Sequence, residues 1–401
     1  MPAACKVVQI AHDIHWVGVE DWNRRSFDAV MDLPYGTSYN AYLVRGREKI
    51  ALVDTVQASF GDELMQKVRQ VVDPGRIDYL VMNHAEPDHA GSIPVVMAAA
   101  PGAKLLASEK GVEMARVFFQ VPAERMQAMQ DGGEIDLGGK RLRFVAAPWL
   151  HWPETMFSFA VEDGVLFTCD FFGAHLASDL LFADEVGGAV LPEAKLYYAV
   201  IMMPYAKMAS AGLDKAVALQ PSIIAPGHGP VWRSPKPVID AIEQWTRGPL
   251  LKKAIIPYVT MWGSTRRMAE VVTASLSGEG IETIPYDLSV TDLARLARDL
   301  VDTSAVVMGS PTVLGTVHPL IANAASMVRL LRPRARIGAF FGSYGWGGGA
   351  AAQAKATLES VKMQVVDSVD VKGPPGQADL ERLAVLGKNV ASKITGATAP
   401  E

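Results

Sequence analysis

Beyond about residue 250 the sequence changes character, and that change constrains the fold more than any other feature. Short apolar runs at 254–260, 281–286, 305–309, 337–341 and 364–371 alternate with helical periodicity at 264–277, 290–299, 318–331, 350–361 and 377–391. Five strands, each followed by a helix, call for crossover connections, and these build a doubly wound parallel sheet. Residues 1–250 read differently. Short apolar runs stand at 49–54 and 78–83, and the runs 155–160 and 165–169 flank Glu162-Asp163-Gly164, a hairpin signal. Leu64, Val68 and Val71 fall at helical spacing within 61–72, and helical spacing returns at 110–119. After Ala189 come more helix, a buried-looking run at 222–226 and a helix at 237–246. This mixture predicts an α/β sandwich in 1–250, whose strands meet at residues borne on loops, followed by a separate sheet domain in 251–401.

Composition excludes several classes. With 38 basic and 43 acidic residues the net charge is -5, which argues against binding nucleic acid or an anionic membrane. Cys5 and Cys169 are the only cysteines, too few for a disulfide framework, a Cys-rich zinc site or an iron–sulfur cluster. Such sparing use of cysteine suits a reducing compartment. Residues 1–14 include Lys6, His12 and Asp13 and lack the apolar core of a signal peptide. The longest uncharged run, 305–328, is broken by Pro311, His318 and Pro319, whereas a membrane helix needs about 20 continuous apolar residues. The expectation is a cytoplasmic protein.

The densest chemistry is Asn83-His84-Ala85-Glu86-Pro87-Asp88-His89, directly after the strand-like run Tyr79-Leu80-Val81-Met82. In an extended segment residues i, i+2 and i+4 share a face, so His84, Glu86 and Asp88 are expected to converge, with His89 reaching in from the loop. His151, Asp170 and His228 stand alone at the ends of later strands. A single such residue has an ordinary reading as a turn, cap or surface residue. Four together differ, because burying several ionisable groups is costly unless a cation pairs them. Adding Glu86, Asp88 and Asp170 to histidines makes a site rich in hard oxygen ligands, which moves the expectation from zinc towards iron or manganese.

The pattern His-x-Glu-x-Asp-His, with a later His, Asp and Gly-His-Gly, resembles the metallo-β-lactamase superfamily. The hydrolases of that superfamily have His where Glu86 stands. With Glu there, together with Gly36-Thr37-Ser38-Tyr39-Asn40, His151-Trp152-Pro153 and Asp170-Phe171-Phe172-Gly173, the sequence resembles the flavodiiron proteins over essentially its whole length. The resemblance implies a metallo-β-lactamase-like αββα sandwich followed by a flavodoxin-like doubly wound parallel sheet. It also implies two iron ions: one held by His84, Glu86 and His151, the other by Asp88, His89 and His228, with Asp170 bridging.

Three segments at the carboxyl ends of predicted parallel strands fit a flavin. Thr260-Met261-Trp262-Gly263-Ser264-Thr265 opens a helix and offers hydroxyls and backbone amides to a phosphate, although an ordinary helix cap would use the same residues. Ser310-Pro311-Thr312-Val313-Leu314-Gly315-Thr316 and Ser343-Tyr344-Gly345-Trp346-Gly347 follow later strands. Ligands of doubly wound sheets sit outside the carboxyl ends of the strands. Together the three resemble flavodoxin loops and lack a dinucleotide fingerprint, which favours FMN, with the first holding the phosphate and the other two flanking the ring.

By this resemblance the chain is an oxidoreductase that reduces O2 to water and/or NO to N2O at a diiron site fed by FMN. The electron donor is a separate carrier such as rubredoxin or its reductase, since no Cys-x-x-Cys pairs follow in the sequence. Family members pair as head-to-tail homodimers or as homotetramers, the flavin of one subunit beside the irons of its partner. Two other readings stay open: a dinuclear zinc hydrolase with a regulatory flavodoxin domain, and an electron carrier without catalysis. Trp152 and Tyr198 resemble aromatic residues lining the substrate pocket, against an ordinary reading as core aromatics, and His175, five residues past Asp170, reads either as a residue just outside the metals or as a structural one. The chain departs from the family at Asp28, where a His is common.

Overall fold

The computed structural model describes residues 6–27 and 31–396; Cys5 and Asp28 lie outside the described residues. The chain forms two compact units that divide between residues 246 and 247.

Among the described residues the first unit contains two large sheets and two two-stranded ones, Val19–Asp21 with Thr37–Tyr39 and Ser26–Phe27 with Met31–Asp32. The larger runs in the order Val8–Ala11, Ile14–Trp16, Tyr42–Arg45, Ile50–Val53, Tyr79–Val81, Lys104–Ala107 and Met126–Ala128, antiparallel in its first half and parallel from Ile50–Val53 onward. The second runs Glu134–Asp136, Arg141–Ala146, Met156–Ala160, Val165–Cys169 and Ile223–Pro226, and only its last pair is parallel. Tyr42, Val44, Ala51, Val53, Val81 and Leu106 of one sheet share an apolar core with Leu142, Phe144, Met156, Phe167 and Ala225 of the other. No residue of that core lies on a helix, so the sheets pack face to face and the helices lie outside them. Helix Gly61–Val71 follows this logic: it buries Leu64, Met65 and Val68, with Asp62 and Glu63 in its first turn and Arg69 in its last, matching the helix dipole.

The second unit is a parallel sheet with spatial order Glu282–Asp287, Lys253–Tyr258, Ala305–Val313, Ile337–Tyr344 and Gln364–Lys372. In sequence order this is 2-1-3-4-5, so the direction of winding reverses between the first and third strands and leaves a crevice at their carboxyl ends. Helices Ser264–Gly278 and Gln377–Gly396 cover one face, packing Met268, Val272, Leu276, Leu383, Leu386 and Val390 onto Ile256, Val307, Ala339 and Phe341.

Two strands run further than the sequence indicates. Ser310, Pro311, Thr312 and Val313 continue the strand that begins at Ala305, and Ser343 and Tyr344 continue the one from Ile337, so these six are strand rather than loop residues. Pro311 reads as a breaker, yet here its missing N–H costs nothing. Gly309 and Pro311 face the same neighbour, Lys253–Tyr258, which has ended by that level. Leu314 and Gly315, at φ 49° and 81°, then turn the chain back to Thr316–Val317. Among the described residues no helix is long and apolar enough to cross a membrane.

At the base of the second unit Lys253 is 3% exposed, its ammonium hydrogen bonded to Asp302 and 3.8 Å from Asp299. Breaking a buried pair from one side leaves the other charge uncompensated, so Lys253→Met is expected to destabilise this unit by about 3–5 kcal/mol. Adding Asp302→Leu should restore much of the loss. Urea unfolding followed by hydrogen exchange at the amides of residues 254–256 measures both.

Candidate functional site

The parallel strands Ile50–Val53 and Tyr79–Val81 in one sheet, and Val165–Cys169 and Ile223–Pro226 in the other, release their loops at one rim of the sandwich. Asp54 ends the first of these strands at φ 56° and grips the segment that follows the second. Its carboxylate accepts from Asn83 N at 2.8 Å and Asn83 Nδ2 at 3.0 Å, while Ser158 Oγ donates to Asn83 Oδ1 at 2.6 Å. Burial pushes the Asp54 carboxyl up to about 6 against the pull of His89 and the Asn83 amide. Asn83 thereby becomes a fixed post from which His84 departs.

The expected convergence of His84, Glu86 and Asp88 holds only for the first two. Pro87 opens a helical turn, Pro87–Ala90, and that turn rotates Asp88 and His89 away from the line of His84 and Glu86. Two groups result. His84, Glu86, His151 and Asp170 bring ligand-type atoms within 4.8 Å of one another, and so do Asp88, His89 and His228; His89, Cys169 and Asp170 form an overlapping third set. In the first group Glu86 Oε2 lies 3.2 Å from His84 Nε2 and 3.0 Å from His151 Nε2. In the second, Asp88 Oδ2 lies 3.1 Å from His228 Nε2 and 3.5 Å from His89 Nε2. Asp170 stands between them. Its Oδ2 is 3.3 Å from His84 Nε2 and 3.4 Å from His151 Nε2, and its Oδ1 is 2.8 Å from His89 Nε2 and 3.6 Å from His228 Nε2.

The electrostatics are those of a site that calls for cations. Burial pushes the His84 imidazole down, but Asp170 and the carboxylates of Glu154 and Glu86 outweigh it and leave His84 well above its ordinary value. His89 is likewise carried to about 9, where Asp88 and Asp170 overcome burial. Burial pushes Asp170 up, yet His89 and His84 hold it well below the carboxylate range; Glu86 is drawn to about 2 by His151 and His84. Both oxygens of Asp88 and Oδ2 of Asp170 are buried without a hydrogen-bond partner. Four imidazoles and three carboxylates with orphaned oxygens fit two cations with nitrogen and oxygen preferences, and the abundance of carboxylate oxygen suits iron.

The surroundings extend the site beyond the residues singled out from sequence. Trp152 sets its ring edge-on to His84, with centroids 5.0 Å apart. His175 is buried, 2.8 Å from Thr37 Oγ1 through Nδ1 and packed on His228 at 4.6 Å; burial and His228 hold it well below its ordinary value. Tyr198 does not face the metals: its ring lies on Trp245 at 5.6 Å. Its neighbour Tyr197 takes that place, donating to Asp170 Oδ1 at 2.7 Å. The helix Val190–Tyr197 passes here into a wider turn, Tyr198–Met202, and adjacent helical side chains point about 100° apart, so a one-residue choice decides which tyrosine reaches the site. Glu154 was also missed; its Oε1 accepts from His84 Nδ1 at 2.7 Å and Ala85 N at 2.9 Å. The spacing His151-x-x-Glu154 was its only sequence signal. Gly227 is required beside His228, since a Cβ there would stand 2.6 Å from His89 Cε1.

In the second unit the three flavin-type segments lie at the carboxyl ends of adjacent strands. Thr260 Oγ1 accepts from Gly263 N at 3.0 Å, and Gly263 takes φ 89° before helix Ser264–Gly278, whose first turn has no side-chain cap. Its leading N–H groups are therefore available to a phosphate. Trp262, Leu314 and Trp346 are 91%, 98% and 96% exposed, and Thr312 Oγ1 is buried without a partner. Large apolar side chains held in water at strand ends, beside an orphaned hydroxyl, fit a flat aromatic cofactor with polar edges.

Residues 37–229 match the family model described as "ODP family beta lactamase". A nitric oxide reductase of Moorella thermoacetica is 37% identical over 394 residues, covering 96% of this chain and 98% of that protein. Among solved structures, rubredoxin oxygen:oxidoreductase from Desulfovibrio gigas superposes with TM-score 0.95 at 31% identity, over 98% of this chain and all of that one. The flavodiiron protein from Giardia intestinalis superposes with TM-score 0.94 at 27% identity, over 98% and 99%. With two metal-ligand groups sharing one carboxylate in the first unit, flavin-type loops in the second, and relatives matching both across nearly their full length, the chain belongs to the flavodiiron protein family.

Proposed function

We propose that this protein reduces O2 to water and/or NO to N2O, with His84, Glu86 and His151 holding one iron, Asp88, His89 and His228 the other, and Asp170 bridging. The observation that carries the reading is the placement of Asp170, which turns one carboxylate oxygen to each group. A bound pair of irons with FMN would supply one-electron reduction at a centre able to hold a small oxidant. The protein's own residues do the rest. Rings of Phe27, Tyr39 and Trp152 wall the imidazoles of His228 and His84 and limit water. Tyr197 keeps its proton, because burial and Asp170 raise its hydroxyl well above the ordinary value, and it donates that proton in a hydrogen bond to Asp170 Oδ1. Glu86 supplies an oxygen where a hydrolase of the superfamily would offer an imidazole, which weighs against the hydrolytic reading.

Thr260–Thr265 is proposed to hold the FMN phosphate, and residues 310–315 and 343–347 to flank its ring. The exposure of Trp262, Leu314 and Trp346 supports a surface that a second copy of the chain covers, bringing its flavin to this metal centre in a head-to-tail homodimer or a homotetramer. A separate donor such as rubredoxin or its reductase would then reduce the flavin.

Protein purified without oxygen from iron-replete cells is expected to contain about two irons and one FMN per chain, by elemental analysis and flavin absorbance. Zinc at both positions would overturn the reading. Asp170→Ala should weaken iron binding at both positions by about 10–100-fold and abolish gas reduction while FMN stays at the parent level. Iron content, flavin content and O2 or NO consumption together test this.

Subunit mixing tests the arrangement in trans. One chain carries His84→Ala with Asp170→Ala, and the other carries a damaged phosphate loop, residues 260–265. Each alone should be inactive. The mixed dimer should recover part of the parent rate, and no recovery from chains that each still bind their remaining cofactor would sink the trans arrangement.

A further inference from the structure

The inward-turned histidines are not backed alike. His84 donates from Nδ1 to the Glu154 carboxylate at 2.7 Å, and that side chain is 1% exposed. His228 donates from Nδ1 to the neutral carbonyl of Ser38 at 2.6 Å. His89 Nδ1 is buried with no partner. One metal position therefore has a full negative charge hydrogen bonded behind a ligand, whereas at the other the closest group hydrogen bonded behind these two imidazoles is a carbonyl. Glu154 is built for the task. Its Oε1 also accepts from Ala85 N at 2.9 Å, and its main-chain oxygen accepts from Ser108 Oγ at 2.6 Å, so the residue is fixed against two other segments of chain.

We infer that Glu154 is a positioning residue that makes the two irons unequal, lowering the reduction potential of the one held by His84, Glu86 and His151. A carboxylate behind an imidazole fixes the tautomer with Nε2 bare and makes it a stronger donor, which favours the more highly charged ion. Exposure acts in the same direction. The side chains of His84, Glu86 and His151 are 0%, 17% and 15% exposed, against 10%, 0% and 1% for Asp88, His89 and His228, and the somewhat greater contact with water also favours the higher charge. An iron held beside Glu154 would thus be the last of the two to be reduced.

This inference rests on the diiron reading, and one experiment separates their failures. Iron-57-enriched holoprotein is titrated reductively without oxygen and followed by Mössbauer spectroscopy, with iron and FMN content measured in parallel. The parent should pass through a state with one ferric and one ferrous ion per chain. Glu154→Gln keeps the shape and an acceptor for Ala85 N–H but removes the charge. It should raise only the lower of the two potentials, so that the mixed state is less populated, with FMN unchanged. Glu154→Asp keeps the charge but draws it back by a methylene, and its lower potential should fall between those of the parent and Glu154→Gln. Parent potentials in a Glu154→Gln protein with both irons bound, or a shift of the upper potential alone, would overturn the inference. If Glu154→Gln fails to fold, a lower potential in Glu154→Asp equal to that of the parent overturns it. A parent without iron overturns the diiron reading instead.

Discussion

Asp170 carries two demands that are hard to meet together: it must be fully buried, and it must stay charged. Burial alone would protonate it, and the surrounding imidazoles prevent that. Its two oxygens then divide the cluster, one facing His84 and His151 and the other facing His89 and His228. The rest of the first unit can be understood as the scaffold for that division. The strands of the two sheets that run parallel are the ones that deliver Asp54 and the 83–89 segment from one side, and Asp170 and His228 from the other.

Holding these loops requires backbone conformations that most residues avoid. Asp54, Trp149, Cys169 and Phe172 all adopt positive φ, at 56°, 67°, 48° and 70°, and each adjoins or lies near a residue of the cluster. Gly229 does so at 71° immediately after His228. Such positions persist only where the surroundings over-determine them. Here they do, through the Asp54–Asn83–Ser158 hydrogen bonds beneath the site, the stacking of Trp149 on Tyr205 and the tilted contact of Phe172 with Phe171.

The second unit meets a different requirement. A parallel sheet in the order 2-1-3-4-5 opens a crevice at its strand ends without help from any one side chain. What the side chains add is chemistry at the rim: an uncapped helix start after Gly263, a tight turn at Leu314 and Gly315, and exposed aromatic rings. The extension of the strands through Ser310–Val313 and Ser343–Tyr344 stiffens two of the three segments, which suits residues that must present a fixed face to a planar ring.

Much of this was legible in the residues themselves. The alternation after residue 250 follows from the differing periods of strands and helices, and the ligand set stood out because so many ionisable groups seldom share a short segment without a cation. Four things were not legible in residue spacing, each because it depends on where distant segments meet. Pro311 continues a strand only because its neighbour has ended. Asp88 joins a different group from Glu86, as the family resemblance implies and the spacing does not, because Pro87 starts a turn whose direction is set by packing. Tyr197 rather than Tyr198 meets Asp170, and Glu154 meets His84, because the register of a helix and the path of a loop bring them there. Local chemistry along the chain determines which side chains can bind metal and which segments form strands, since both depend on residue type and spacing. The charge placed behind each ligand belongs to the tertiary structure alone, because hydrogen bonds act over about 3 Å in space whatever the separation in sequence.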